Sequence, residues 1–109
     1  MSSFDDRERA EEARYALDQE TQFKVAARRN KLLGLWAADL MGLDATAAEA
    51  YAKTVVIADL EEAGDGDVIR KVLADLSAAG VQQTAPGIEE QLARLTPIAR
   101  DQITKDIKG

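Results

Sequence analysis

The chain has 109 residues, 14 lysines and arginines against 20 aspartates and glutamates, a formal charge of −6, and neither cysteine nor histidine. That length fits one domain with a modest core. The missing residue types exclude a disulfide framework, a thiolate zinc site and histidine-based acid–base or pH-switch chemistry.

Charge is unevenly distributed. Residues 1–19 carry a balance of −3, residues 20–31 carry +3 through Lys24, Arg28, Arg29 and Lys31 against Glu20, and from Asp39 to Asp67 the acids outnumber the lone base Lys53. One short basic patch outweighed by acidic neighbours is the wrong pattern for nucleic-acid binding. The longest apolar run, Leu32 to Ala38, is seven residues, far below the roughly 20 of a membrane-spanning helix. The N-terminal run has neither the basic nor the apolar region of a secretory signal. These features predict a soluble, cytoplasmic protein without membrane insertion.

The first helix is predicted to start at Ser3, where Ser3 and Asp6 make a capping pattern and Asp5 and Asp6 favour the positive end of the helix dipole. Phe4 to Gln19 is laced by charges three and four residues apart: Asp5 with Arg9, Arg7 with Glu11, Glu11 with Arg14, Arg14 with Asp18. Each pair adds about 0.2–0.5 kcal/mol to an isolated helix, so a segment this short is marginally stable alone. Phe4, Tyr15 and Leu17 stand among these charges, the pattern of a helix that docks into a partner's groove or else packs back onto its own bundle. No proline or glycine intervenes before Gly34. The helix therefore either runs on to Met41 or bends near Gln19 to Thr21, where apolar periodicity lapses.

Phe23, Ala26, Ala27, Asn30, Leu33, Ala37 and Leu40 recur at three- and four-residue spacing and predict a core face, widened by Leu32, Leu35 and Trp36. Trp36 reads as a core anchor and Asn30 as a polar group satisfied within the bundle. Lys24, Arg28 and Lys31 share one helical face with Arg29 beside them. They are either a solvated face that neutralises the acidic helices, or a contact for an acidic partner or phosphate.

Gly42 stops this helix. Asp44 or Thr46 caps a second, with Ala48, Tyr51, Ala52, Val55 and Val56 inward. Gly64-Asp65-Gly66-Asp67 is a polar turn that lacks the spacing and closing glutamate of a calcium loop. A third helix carries Ile69, Val72, Leu73 and Leu76 and ends at Gly80; Thr84 caps a fourth, with Ile88, Leu92, Leu95, Ala99 and Ile103 in helical register. Pro97 either kinks that helix or begins a new one. Adjacent carboxylates such as Glu61/Glu62 and Glu89/Glu90 point about 100° apart on a helix, so they form no acid–base pair. No phosphate-cradling glycine loop occurs, and no enzyme is predicted. The chain reads as all-α, a four-helix bundle (residues 20–109) with an N-terminal helical extension (residues 1–19) marginally stable alone.

The run Phe4-Asp-Asp-Arg-Glu-Arg-Ala-Glu-Glu-Ala-Arg-Tyr-Ala-Leu-Asp-Gln-Glu, followed by Phe23-Lys and Ala27-Arg-Arg-Asn-Lys-Leu-Leu-Gly-Leu-Trp-Ala-Ala38, resembles the zeta-subunit family, small inhibitors of the bacterial F-type ATP synthase. The resemblance implies that the N-terminal segment inserts as a helix between α and β subunits close to γ and blocks hydrolytic rotation, while the bundle stays outside. Phe4, Asp5, Asp6, Arg7, Arg9, Ala13, Arg14, Tyr15 and Leu17 become the expected contacts. The implied partner is the F1 sector (α, β and γ) on the cytoplasmic face of the inner membrane, and the free protein is expected to be a monomer. No cofactor is expected. The alternative is a small helical nucleotide- or anion-binding module, taking ATP or ADP weakly through Lys24, Arg28, Arg29 or Lys31; a generic helical adaptor is a third possibility.

Overall fold

A computed structural model describes the backbone of residues 2–59 and 64–108 and the side chains of 19–59 and 64–106. Four helices follow in order, α1 Ser2–Leu40, α2 Ala45–Ala58, α3 Gly66–Ala78 and α4 Ala85–Lys108, with no strand among the described residues. The chain is all-α, and its helices pack as a four-helix bundle in which α1 lies mainly against α2 and α4 while α3 closes the gap between them.

α1 is one continuous helix with no break at Gln19 to Thr21. At 1.5 Å per residue its 39 residues span about 58 Å, which sets the 66 Å long axis of the molecule. Those polar residues lack an apolar period, but they also lack any glycine or proline that would break hydrogen bonding.

α1 and α3 end in the same way. Gly42 and Gly80 adopt left-handed φ values of 75° and 81°. The amides of Leu43 and Val81 then reach back to the carbonyls of Ala38 and Leu76, and those of Gly42 and Gly80 to Asp39 and Ser77. The motif satisfies carbonyls that would otherwise be orphaned and reverses the chain in few residues. Asp44, rather than Thr46, caps α2 by accepting from the Ala47 amide at 2.8 Å. Thr84 caps α4 as expected, its hydroxyl accepting from the Gly87 amide at 3.1 Å.

The main core joins Leu33 and Ala37 of α1, Val55 of α2, Val68, Val72 and Leu76 of α3, and Ile88, Leu92 and Leu95 of α4. A smaller cluster of Val25, Ala99 and Ile103 continues it toward the α4 C-terminus, and Leu32 touches both. All five predicted core positions of α4 are buried. Trp36 is half-buried against the main core.

Four predicted core residues of α1 are not in it: Ala26 and Ala27 are half-buried and line open grooves, Phe23 is 63% exposed and Leu40 is 40% exposed. α4 arrives on the Val25 side of α1, and two residues along a helix amount to about 200° of rotation, so Val25 and Phe23 face opposite ways. Leu40 is the last helical residue, at the rim where the chain turns off at Gly42. α4 passes through Pro97 without interruption. Proline removes the bond to the Ala93 carbonyl, but Ala93 and Pro97 are both exposed, so water can satisfy it; one residue earlier, Thr96 donates its hydroxyl to the Leu92 carbonyl at 2.8 Å.

α1 and α2 approach each other closely at Gly34. A Cβ placed on Gly34 would come within 2.6 Å of the Ala52 Cα and 3.1 Å of its Cβ, so the two backbones meet at a point that only glycine fits. Gly34→Ala is expected to destabilise the protein by about 1–3 kcal/mol, the usual cost of overpacking, in urea unfolding followed by circular dichroism. A variant as stable as the parent would show that this crossing relaxes freely.

Candidate functional site

Cations of α1 tie it to each of the other helices. Arg28 donates to Gln102 Oε1 at 2.9 Å and to Asp106 at 3.0 Å, both on α4. Arg29 reaches Asp65 at the head of α3 at 2.7 Å. Lys31 lies 3.9 Å from Glu49 of α2, and Lys24 pairs with Glu20 one turn back at 3.4 Å. Arg29 also donates through Nε and a terminal nitrogen to Asn30 Oδ1, at 3.2 and 3.1 Å. Asn30 is fully buried, yet its Nδ2 has no hydrogen-bond partner. The expectation that Asn30 is satisfied within the bundle therefore holds for its oxygen alone.

The four cations do not form one surface. Lys24, Arg28 and Lys31 line a groove of about 620 Å³ with Phe23 and Ala27 of α1, Val56 of α2, and Ile103 and Asp106 of α4. Arg29 turns the other way, into a separate groove of about 490 Å³ between α1 and α4 lined also by Thr21, Gln22, Thr96, Arg100 and Thr104. Three- and four-residue spacing was enough to group Lys24, Arg28 and Lys31. Val56, Ile103 and Asp106 carried no sequence signal for this role, since only the packing of α2 and α4 brings them to α1.

The carboxylates of the polar turn are engaged by arginines, Asp65 by Arg29 and Asp67 by Arg70. Tyr51 belongs to a structural cluster. Its hydroxyl donates to Asp75 at 2.8 Å, and Lys71 donates to the same carboxylate at 3.0 Å while its ammonium stands 5.4 Å from the ring centroid. Burial, and then the hydrogen bond and negative charge of Asp75, push the Tyr51 phenol well above its ordinary pKa. Phe4, Asp5, Asp6, Arg7, Arg9, Ala13, Arg14, Tyr15 and Leu17 all fall on the N-terminal half of α1, with side chains outside the described residues.

The described side chains thus show a helical bundle with charge-paired α1 cations, an open groove, and a long α1 whose first buried residue among those described is Val25. The profile of one family, described as ATPase inhibitor subunit zeta, matches residues 1–102; the chain belongs to that family. A chain solved by solution NMR is 44% identical, with a TM-score of 0.69, over 78% of this chain and 96% of its own length. No curated protein matches. No described helix is long and apolar enough to cross a membrane.

Because the Tyr51 phenol is raised in the folded state, its contribution to stability is complete below about pH 10, the ordinary phenol value, and is lost as pH rises from there toward the folded value. Urea titrations from pH 8 to 11 should show a fall in stability at the alkaline end that is smaller in Tyr51→Phe. At neutral pH that variant should lose about 1.5–3 kcal/mol, the worth of one hydrogen bond to a charged group. Identical alkaline slopes in the two proteins would assign the transition to another group.

Proposed function

We propose that this member of the inhibitor family blocks ATP hydrolysis by inserting the N-terminal part of α1 as a helical plug at a catalytic α/β interface next to γ, while residues 20–109 stay outside as an anchoring bundle. The supporting observation is the continuity of α1: one helix joins residues 4–17 to the bundle, and its first buried side chain among those described is Val25. Phe4, Asp5, Asp6, Arg7, Arg9, Ala13, Arg14, Tyr15 and Leu17 are the proposed contacts. A stalled rotor needs an obstacle rather than a reaction, so the chain acts as a stoichiometric inhibitor and not as an enzyme. Its place is with the F1 sector on the cytoplasmic face of the membrane, and it is a monomer when free.

A second reading, weak ATP or ADP binding, draws on the groove, where Phe23 offers an aromatic face beside Lys24 and Lys31. It would modulate the inhibitor, not replace it.

Added to purified F1-ATPase, the full chain should inhibit hydrolysis to saturation near one copy per enzyme, and a chain lacking residues 2–17 should not. Equal inhibition by both would remove the extension as the effector. The chain has no histidine, so inhibition should show no histidine-type loss between about pH 6 and 8.

A further inference from the structure

From the groove beside Phe23 we infer a second contact with the ATPase, which accepts an acidic amphipathic helix of the enzyme at the mouth of the plug's channel. This rests on the inhibitory reading above and adds a surface to it. The groove floor is apolar and comes from three helices, Ala27 of α1, Val56 of α2 and Ile103 of α4, with Phe23 standing 63% exposed at one end. A phenylalanine so exposed at a groove lined by apolar groups from three elements is the kind of anchor that interfaces bury.

Charge selects the occupant. Lys24, Arg28 and Lys31 line the groove against a single carboxylate, Asp106. Their spacing of four and three residues matches a facing helix with carboxylates at the same intervals and apolar residues toward the floor. Arg28 is held by hydrogen bonds to Gln102 and Asp106, whereas Lys24 and Lys31 sit in exposed pairs at 3.4 and 3.9 Å with Glu20 and Glu49, neither of which lines the groove. Such pairs contribute little and exchange readily, so both lysines are available to a partner's carboxylates.

Position selects the enzyme as the source of that helix. Phe23 lies six residues beyond Leu17 on the same unbroken helix, about 9 Å further along its axis. A subunit that surrounds the plug must pass close to this face where α1 emerges.

The test is inhibition of purified F1-ATPase by the full-length chain carrying Phe23→Asp, or Lys24→Glu with Lys31→Glu. Each variant is first compared with the parent by thermal melting, and the half-inhibitory concentration is read at low and raised ionic strength. Both variants should need at least about tenfold more protein, as when an interface anchor or its charge partners are lost. Salt should weaken the parent more than the lysine variant. If charge reversal disturbs the fold, Phe23→Ala and the pair Lys24→Gln, Lys31→Gln take its place with the same expectation. A parent that inhibits together with variants that inhibit equally well would overturn the second contact and leave the plug intact. A parent that does not inhibit would overturn both. Unchanged inhibition by variants that abolish ADP-induced amide shifts in residues 23–31 would make the groove a small-anion site instead.

Discussion

The contact between Gly34 and Ala52 is the constraint on which the bundle depends. Where a Cβ would stand 2.6 Å from the Ala52 Cα, side chains are excluded and the backbones of α1 and α2 set the separation. The surrounding apolar side chains must then fill the space in one arrangement: Leu33 and Ala37 meet Val55, and α3 and α4 close over them through Val68, Val72, Leu76, Ile88 and Leu92. The larger residues come mainly from α3 and α4, while α1 and α2 supply glycine and alanines at their crossing. Size complementarity of this kind lets a small chain reach interior packing density with few aromatic residues.

Electrostatics complete what packing begins. Arg28, Arg29 and Lys31 are nearly consecutive, yet they reach α4, α3 and α2 respectively: Arg29 is turned about 100° from Arg28, while Arg28 and Lys31 share the face that looks onto the groove between α4 and α2. The cationic stretch of α1 thus serves as a hub for a net-acidic bundle. The pair between Arg29 and Asp65 carries the most structural weight, since Arg29 is largely buried and also holds the Asn30 oxygen. Asn30, fully buried in α1 with its amide nitrogen unpaired, carries a desolvation cost that the arginine contact to its oxygen offsets only in part.

Local rules made much of this fold legible. Helical periodicity identified every buried position of α4 among the described residues, because that helix has one apolar face and a polar remainder. Thr84 and the glycines at 42 and 80 marked helix ends through chemistry confined to a few residues. What stayed open or was misassigned lies where local signals tie. Apolar residues surround much of α1 between Phe23 and Leu40, so choosing Val25 over Phe23 required knowing where α4 lies. Asp44 and Thr46 are both competent caps, and only the path of the chain after Gly42 decides between them. Pro97 reads as either a kink or a new helix start, and its exposed position makes the lost hydrogen bond inexpensive enough for one helix to run through it. The same limit applies to the groove: its α1 residues were legible as a stripe, but Val56, Ile103 and Asp106 join it only through tertiary packing.

Continuity of α1 links these features to inhibition. Fewer than two helical turns separate Leu17 from Phe23, and Val25 is already clamped against Ala99 and Ile103. A plug seated in a rotary enzyme would therefore be joined to its bundle by a short helical neck, not by a slack linker. Force on residues 4–17 would pass directly to the crossing at Gly34 and Ala52 and to the arginines that hold α3 and α4. A flexible tether would let a bound plug be expelled alone; a stiff one requires the bundle to move with it. The groove then gains a mechanical meaning, since a contact at Phe23, Lys24 and Lys31 would hold the bundle where the helix emerges and oppose withdrawal of the plug.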